Sequence, residues 1–447
     1  MAKRNRHVPY PPQFRRDARN DDRPIRPGQR TLFVPLGFGC LLAGVCVGPV
    51  EAQDALQSAL SINSILQAQE NRPGESPPGQ PHLGPVQLSY GVYSGVQFND
   101  NINLAQNNAQ TDVILDDGLS FGAFWPATAQ SQLNFNSGIG YNYYLRHPND
   151  SYWNLAPGST FNWSVLLEDW TLTIYDQFNY THNVTQVASV SNVSGIPIFD
   201  NSAGLQGQWQ PDHWLVVLGY SYDNYFSNEA LYDYLNNFSD NFFARGAWRF
   251  ANATQLGVEA SSAITQFSKN IQPDSTSYSL GPYLQWQVTK AISNSLRGGW
   301  TYYSFASTPM QPSGNLSSYY FGLDLNHRLT QFVSQSLSAQ RSTSLGINSG
   351  SDYSQQYTVN YGVHWFATQW LRVDLNLTYE NGQQPVNGIS TQNVENYQRY
   401  GVNPGLFYQI TKRLSGTLGY SFWDKNSTID GNSYKQNTVN FQLQYNF

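Results

Sequence analysis

The sequence predicts an all-β fold, a transmembrane up-and-down antiparallel β-barrel, and three observations predict it. From Val86 to Phe447 apolar and polar residues alternate with a period of two over segments of ten to twelve positions. Short and long polar connections take turns between those segments, and aromatic residues gather at the segment ends. A strand sends successive side chains to opposite faces, so this alternation makes a sheet with one apolar and one polar side.

Composition points the same way. Only 12% of residues are charged while 15% are aromatic, and the mean hydropathy is −0.47. A bundle of membrane helices is far more apolar than this. Beyond the N-terminal segment, no run reaches the roughly 18 to 20 apolar residues that a spanning helix needs. A chain of this kind crosses a bilayer as strands.

Lys3 to Arg30 carries nine basic residues, and Thr31 to Val50 is apolar and ends in Val50-Glu51-Ala52. Small residues at the −3 and −1 positions fit a signal-peptidase site, so residues 1–52 read as a cleaved signal peptide with a long basic n-region. Both cysteines, Cys40 and Cys46, fall inside it, which leaves the exported part without disulfides, thiolate catalysis or zinc-thiolate sites. From residue 53 onward 15 Lys and Arg face 26 Asp and Glu, a balance of −11. Nucleic acid is excluded as a partner on that charge. Residues 53–85 read as a short periplasmic helix, with Leu56, Leu60, Ile65 and Leu66 at helical spacing, followed by a Pro-rich linker. Some thirty residues are too few for the plug domain of an energy-coupled transporter.

Residues 86–447 form the predicted barrel. In the last segment Val439, Phe441, Leu443, Tyr445 and Phe447 alternate with Asn440, Gln442, Gln444 and Asn446. Leu371 to Glu380 and Trp214 to Asp223 repeat the pattern. Eight tight turns, near 126–129, 168–169, 210–213, 251–253, 289–291, 329–331, 367–369 and 411–412, separate nine longer loops. Those 17 connections imply 18 strands, or 16 if the weakly alternating segments 112–124 and 332–344 are not both strands. A propeller would need four short strands per 40-residue period, where two long ones fit. A β-sandwich or solenoid would favour Val, Ile and Leu over Tyr. Trp125, Trp170, Trp209, Trp214, Trp248, Trp286, Trp365 and Trp370 lie beside the short turns, and Tyr90, Tyr141, Tyr180, Tyr220, Tyr302, Tyr379 and Tyr420 toward the long loops. Amphipathic rings at both strand ends make the two membrane girdles.

The polar face supplies the candidate pore-lining residues Arg245, Arg249, Arg297, Arg328, Arg372, Arg399, Glu259, Asp324, Asp374 and Glu380. Opposed rows of charge would set ion selectivity, whereas charges paired with their neighbours would only keep a lumen wet. Tyr93, Tyr144, Tyr175, Tyr283, Tyr303 and Tyr320 share that face and suit sugar stacking. The third long loop, 181–197, either folds into the lumen or stays on the surface. The scattered histidines lack metal-ligand spacing, and no nucleophile elbow is present. No catalytic residue, cofactor or metal is expected. Asp112, Asp116 and Asp117 sit toward the rim, within reach of a divalent cation or lipopolysaccharide.

Phe447, with Tyr445 and Leu443 on one face of an amphipathic last strand, resembles the C-terminal signal read by the barrel-assembly machinery. Residues 86–447 as a whole resemble the bacterial outer-membrane proteins grouped as β-barrel porins, and Thr411-Lys412-Arg413-Leu414-Ser415 and Gln210-Pro211-Asp212-His213-Trp214 look like the periplasmic turns of that group. The resemblance implies the outer membrane of a Gram-negative bacterium and a passive channel for small hydrophilic solutes or ions. A substrate-selective sugar channel, a polysaccharide-export barrel and a structural or adhesive barrel with a plugged lumen are the alternatives. The implied partners are outer-membrane lipid and lipopolysaccharide, the assembly machinery, small solutes and, in some such barrels, further copies of the chain.

Overall fold

The computed structural model describes residues 81–183, 187–251, 254–309, 312–385 and 394–447. The expected signal peptide and nearly all of the expected helix and linker lie outside the described residues. Eighteen long strands follow one another: β1 (Val86–Asn99), β2 (Asp112–Thr128), β3 (Ser131–Tyr144), β4 (Tyr152–Leu167), β5 (Trp170–Thr181), β6 (Ile198–Trp209), β7 (Trp214–Phe226), β8 (Asn237–Ala251) and β9 (Thr254–Phe267). The second half comprises β10 (Ser275–Thr289), β11 (Ile292–Phe305), β12 (Gly314–Arg328), β13 (Val333–Leu345), β14 (Tyr353–Phe366), β15 (Leu371–Pro385), β16 (Val394–Gln409), β17 (Leu414–Ser427) and β18 (Tyr434–Asn446). His82–Leu83 adds a two-residue strand paired to the start of β1. The count of eighteen agrees with the sequence expectation, and the weakly alternating segments are both strands.

Each strand pairs antiparallel with its chain neighbours, and β18 pairs with β1 from Thr438↔Asn99 to Asn446↔Gly91. The sheet therefore closes on itself, which removes both open edges and rules out a sandwich or solenoid. Short turns lie at one mouth. At the other lie the long connections, whose described residues form L1 (100–111), L2 (145–151), L3 (182–183 and 187–197), L4 (227–236), L5 (268–274), L6 (306–309 and 312–313), L7 (346–352) and L8 (428–433).

The tight turns have a local cause. Thr411 Oγ1 accepts from the N–H groups of Arg413 and Leu414 at 3.2 and 3.0 Å, and Thr289, Thr330 and Thr368 each accept in the same way from the residues two and three ahead. A hydroxyl that satisfies two turn amides holds the chain in a hairpin without help from a protein core.

The outer face is apolar and exposed. Leu119, Leu205, Leu218, Val258, Leu280 and Leu296 stand exposed at mid-strand, with relative exposures of 43 to 56%. A soluble fold would bury such a belt, whereas lipid accommodates it. The tryptophans lie beside the short turns as expected, with Trp170 stacked near Trp209 and Trp214 edge-on to Trp248. Tyr90 departs from expectation. It lies at the short-turn mouth, its ring 5.5 Å from that of Phe447 and its carbonyl accepting from Phe447 N at 2.9 Å. The reason is that β1 rises from the short-turn side, so its first residues belong to that girdle.

Phe447 thus supplies the last backbone hydrogen bond of the closing ladder and a ring packed on both Tyr90 and Tyr445. Deleting Phe447 is expected to lower the amount of barrel assembled in cells several-fold while leaving detergent-refolded protein heat-modifiable. Quantifying the folded band on unheated gels of membrane fractions and of refolded protein checks this.

One stretch of wall is not zipped. Pairing between β12 and β13 runs from Arg328↔Ser334 up to Phe321↔Arg341 and stops, although both strands continue toward the long-loop mouth. Above that point Gly314–Tyr320 still pairs with β11, and Ser342–Leu345 with β14, but not with each other. The upper end of β13 passes inside β11 and β12. Leu345 packs with Tyr303 and Phe305 on the inner face of β11, and the Tyr303 hydroxyl donates to Thr343 O at 2.7 Å.

Candidate functional site: the lumen and its extracellular constriction

Alternation puts all ten candidate pore-lining residues on the inner face. The structure gathers most of them into pairs. On β8 and β9, Arg245 Nη2 lies 2.8 Å from Glu259 Oε2, and its guanidinium sits 4.2 Å over the Tyr283 ring. Arg249 faces the Gln210 amide in a short turn. Arg297 lies against Gly322, on the strand that carries Asp324 two residues on. Near the short-turn mouth, Asp374 takes Arg372 Nε at 2.9 Å and His364 Nδ1 at 2.7 Å. Arg328 lines a cavity of about 280 Å³ at that mouth with Lys290, Asn326 and His364. On β15 and β16, Glu380 holds Arg399 Nε at 2.5 Å, and the Arg399 guanidinium stacks 4.3 Å over Trp423. Six of the ten candidates thus form ion pairs, Arg245–Glu259 and Arg399–Glu380 across neighbouring strands and Arg372–Asp374 along one strand.

The tyrosines lie flat along the wall, and glycine makes this possible. The Tyr320 ring crosses Gly299 and Gly281 on the two adjacent strands, so that its hydroxyl reaches Glu259 Oε1 at 3.2 Å on β9. A Cβ on Gly281 would collide with the Gly298 carbonyl, the Gly299 Cα and the Tyr320 hydroxyl. Tyr175 over Gly204 and Tyr283 over Gly257 repeat the arrangement. Each ring has one face spent on the wall.

Loop L3 folds inward. Its described residues cross to the far wall, where Ser189 O accepts from Gln384 Nε2 and from Lys425 Nζ, each at 3.2 Å, and Ser191 Oγ accepts from Lys425 Nζ at 2.8 Å. Lys425 also lies 3.2 Å from Glu395 Oε1, with both side chains at most 1% exposed. Gln384 and Ser427 donate to the two oxygens of Glu395 at 2.6 and 2.8 Å. A buried ion pair holds its place only when hydrogen bonds meet its remaining polar atoms, and here they do. Beside this clamp, Leu104 of L1, Val190 and Ile196 of L3, Leu235 of L4, Ile347 of L7 and Tyr434 of β18 make one buried apolar cluster. L5 joins it through Gln272, which donates to Gly346 O and Asn348 O at 3.1 and 3.0 Å.

The site thus includes residues that the sequence did not single out: Lys425, Glu395 and Gln384. Of the rim aspartates, Asp112 is fully buried and ties L2 down, accepting from the amides of Arg146 and His147 and from His147 Nδ1. Asp116 turns inward beside Tyr93 rather than outward to the rim.

His182, at the root of L3, stacks on Tyr152 with ring centroids 4.0 Å apart, and its Nε2 lies 3.0 Å from the Tyr180 hydroxyl. Burial lowers its pKa to about 4, so the seated loop holds a neutral imidazole. A released loop would bind a proton near the ordinary value of about 6.5. Seating is therefore strongest above pH 6.5, weakens as pH falls through that value toward 4, and changes little below. Open probability is expected to rise between pH 7 and pH 4.5, and His182→Phe is expected to flatten the rise. Single-channel recordings of both proteins across that range check it.

No protein-family model and no curated protein matches the chain. The chain is similar in outline to a number of solved structures, among them the following. OccAB3 of Acinetobacter baumannii is 10% identical with a TM-score of 0.46, the match covering 82% of this chain and 100% of that one. OccK5 (OpdH) of Pseudomonas aeruginosa is 10% identical with a TM-score of 0.47, covering 82% and 99%. OccK2 (OpdF) of the same organism is 12% identical with a TM-score of 0.46, covering 83% and 99%. At these scores the likeness adds nothing to what the chain's own ladder shows. An even number of antiparallel strands, short turns at one mouth, long loops at the other and an apolar belt are the layout of bacterial outer-membrane barrels. On those features the chain is an eighteen-stranded transmembrane β-barrel.

Proposed function

We propose that the chain is an outer-membrane channel for passive diffusion of small hydrophilic solutes or ions, narrowed at its extracellular end by L3. The observation that carries this is the clamp of Lys425, Glu395 and Gln384 on Ser189 and Ser191. It sets a polar, charged constriction across the lumen in place of a continuous apolar core. An eighteen-stranded ring is too wide for wall side chains alone to fill. Selectivity in such a pore follows from the charges beside its passage, and the buried pairs Arg399–Glu380 and Lys425–Glu395 contribute through their field rather than by contact with the solute. No reaction is assigned to the chain. Assembly through the Phe447 signal, contact of the outer rim with lipopolysaccharide, export through residues 1–52 and association of several copies belong to the same reading.

The apolar cluster of L1, L3, L4 and L7 favours a second reading, a structural barrel whose mouth stays shut. Planar-bilayer recording of the refolded barrel across a salt gradient separates the two. Stable steps with a reversal potential set by the lumen charges support the channel, and blockade by one class of oligosaccharide would narrow it to a sugar-selective one. A folded, heat-modifiable barrel that stays silent at all voltages sinks the channel and leaves the structural role.

A further inference from the structure

The unzipped wall between β12 and β13 and the cap over the mouth share one element. β13 leads directly into L7, and Ile347 of L7 sits in the apolar cluster that joins L1, L3 and L4. The upper end of β13 is held inside the barrel by side chains. Ser318 Oγ takes Arg341 Nη1 at 2.9 Å, Gln355 Nε2 at 3.0 Å and Thr343 Oγ1 at 3.2 Å, while Arg341 also donates to the Tyr319 carbonyl. The Arg341 guanidinium lies 3.9 Å from the centre of the Tyr319 ring, whose hydroxyl is 2.8 Å from that of Tyr357.

A second arrangement of the same strands is available. Continuing the register beyond Phe321↔Arg341 would pair Tyr320 with Ser342, Tyr319 with Thr343, Ser318 with Ser344 and Ser317 with Leu345. In that register Ser342 and Ser344 face the lumen and Leu345 faces lipid, as the alternation of β13 requires. Backbone ladder bonds then replace the side-chain latch, and the Leu345 contacts with Tyr303 and Phe305 are given up. The exchange sets new backbone pairs against the burial of Leu345 and Ile347, the side-chain bonds at Ser318 and the Gln272 bonds to L7, so that gains and losses oppose one another as in a two-state element.

We propose that this seam is the gate of the channel. In the overlapped state the end of β13 and L7 lie inside the wall and complete the cap. In the zipped state they swing outward, L7 withdraws Ile347 and its two contacts with Gln272, and the extracellular mouth opens. The gate rests on the channel reading above, since it regulates that same constriction.

A disulfide tests it directly. The full chain with Cys40→Ser and Cys46→Ser carries no other thiol, so Ser318→Cys and Thr343→Cys, whose hydroxyls are 3.2 Å apart, can be joined and the join verified by mass. Oxidation is expected to cut the open fraction in planar bilayers by about tenfold or more, and dithiothreitol to restore it. Equal conduction by fully oxidised and reduced forms would overturn the gate while leaving the channel standing. A silent cysteine-free parent would remove both. If the double-cysteine chain fails to fold, Arg341→Ala, which removes a latch, is expected to raise the open fraction several-fold, and an unchanged open fraction would overturn the gate.

Discussion

Single-channel conductance is expected to rise several-fold when Lys425 is replaced by alanine. Lys425 is the one cation bonded both to Glu395 and to two oxygens of L3 among the described residues. Its removal deletes two anchors of the loop and leaves the Glu395 carboxylate, 1% exposed, without a counter-charge. Breaking a buried pair from one side costs about 3 to 5 kcal/mol. The strands flanking the pair are fixed by their ladders, so the loss falls on the seating of L3. Lys425→Met with Glu395→Gln is the discriminating companion, because it removes both charges at nearly constant volume. The double variant should regain most of the lost stability, yet its conductance should stay above wild type, since neither new side chain replaces the ammonium on Ser189 and Ser191. Recording both variants alongside urea unfolding separates loop release from general destabilisation. Wild-type conductance in Lys425→Ala would show that L3 is not the constriction.

The second large effect is on stability. Gly281→Ala is expected to destabilise the barrel by about 2 to 4 kcal/mol, combining overpacking with the loss of a hydrogen bond to a buried carboxylate. The added methyl group meets backbone on two sides and the Tyr320 hydroxyl on the third. Gly281 pairs with Glu259 on β9, and the ladder to β11 holds on either side of it at Leu280↔Trp300 and Tyr283↔Arg297, so the backbone has little room to yield and the Tyr320 ring must lift and release Glu259. Glu259 would keep Arg245, which limits the damage. Gly246→Ala is the control, because a Cβ there meets nothing within 4 Å. Urea midpoints followed by loss of the heat-modifiable band should differ between the two variants, and equal midpoints would refute the role given to Gly281.

Much of this architecture is legible in the sequence because lipid outside and water inside enforce a period of two along every strand. Val439 to Phe447 and Leu371 to Glu380 show it so cleanly that strand number, turn positions and closure follow. The turns carry a local signal of their own, since Thr289, Thr330, Thr368 and Thr411 recur at the hairpins, each capping its own turn. The constriction is less legible for a physical reason. Ser189 meets Gln384 and Lys425 across separations of 195 and 236 residues, and nothing local in L3 encodes which wall it will touch. Lys425 stands in a stretch whose sequence reads as loop, and Glu395 directly after one, so the alternation assigns neither to the lumen face. The weak alternation of β13 has its own cause. Arg341 and Thr343 occupy positions that would face lipid in a regular wall, and the seam gives them Ser318 instead.

Closure of the ring by β18 and β1 also bears on how fast the molecule can form. Every other rung joins residues close in sequence, whereas Asn99 and Thr438 lie roughly 340 positions apart. Chain entropy grows only logarithmically with separation, so this last rung costs about 3 kcal/mol more than a hairpin rung of roughly fifteen residues. The penalty is small at equilibrium, but it falls on a single late step that must wait for all seventeen earlier pairings. Until then β1 and β18 each present a bare edge, and the lifetime of those edges sets the window in which the chain can aggregate or be captured by a catalyst of insertion.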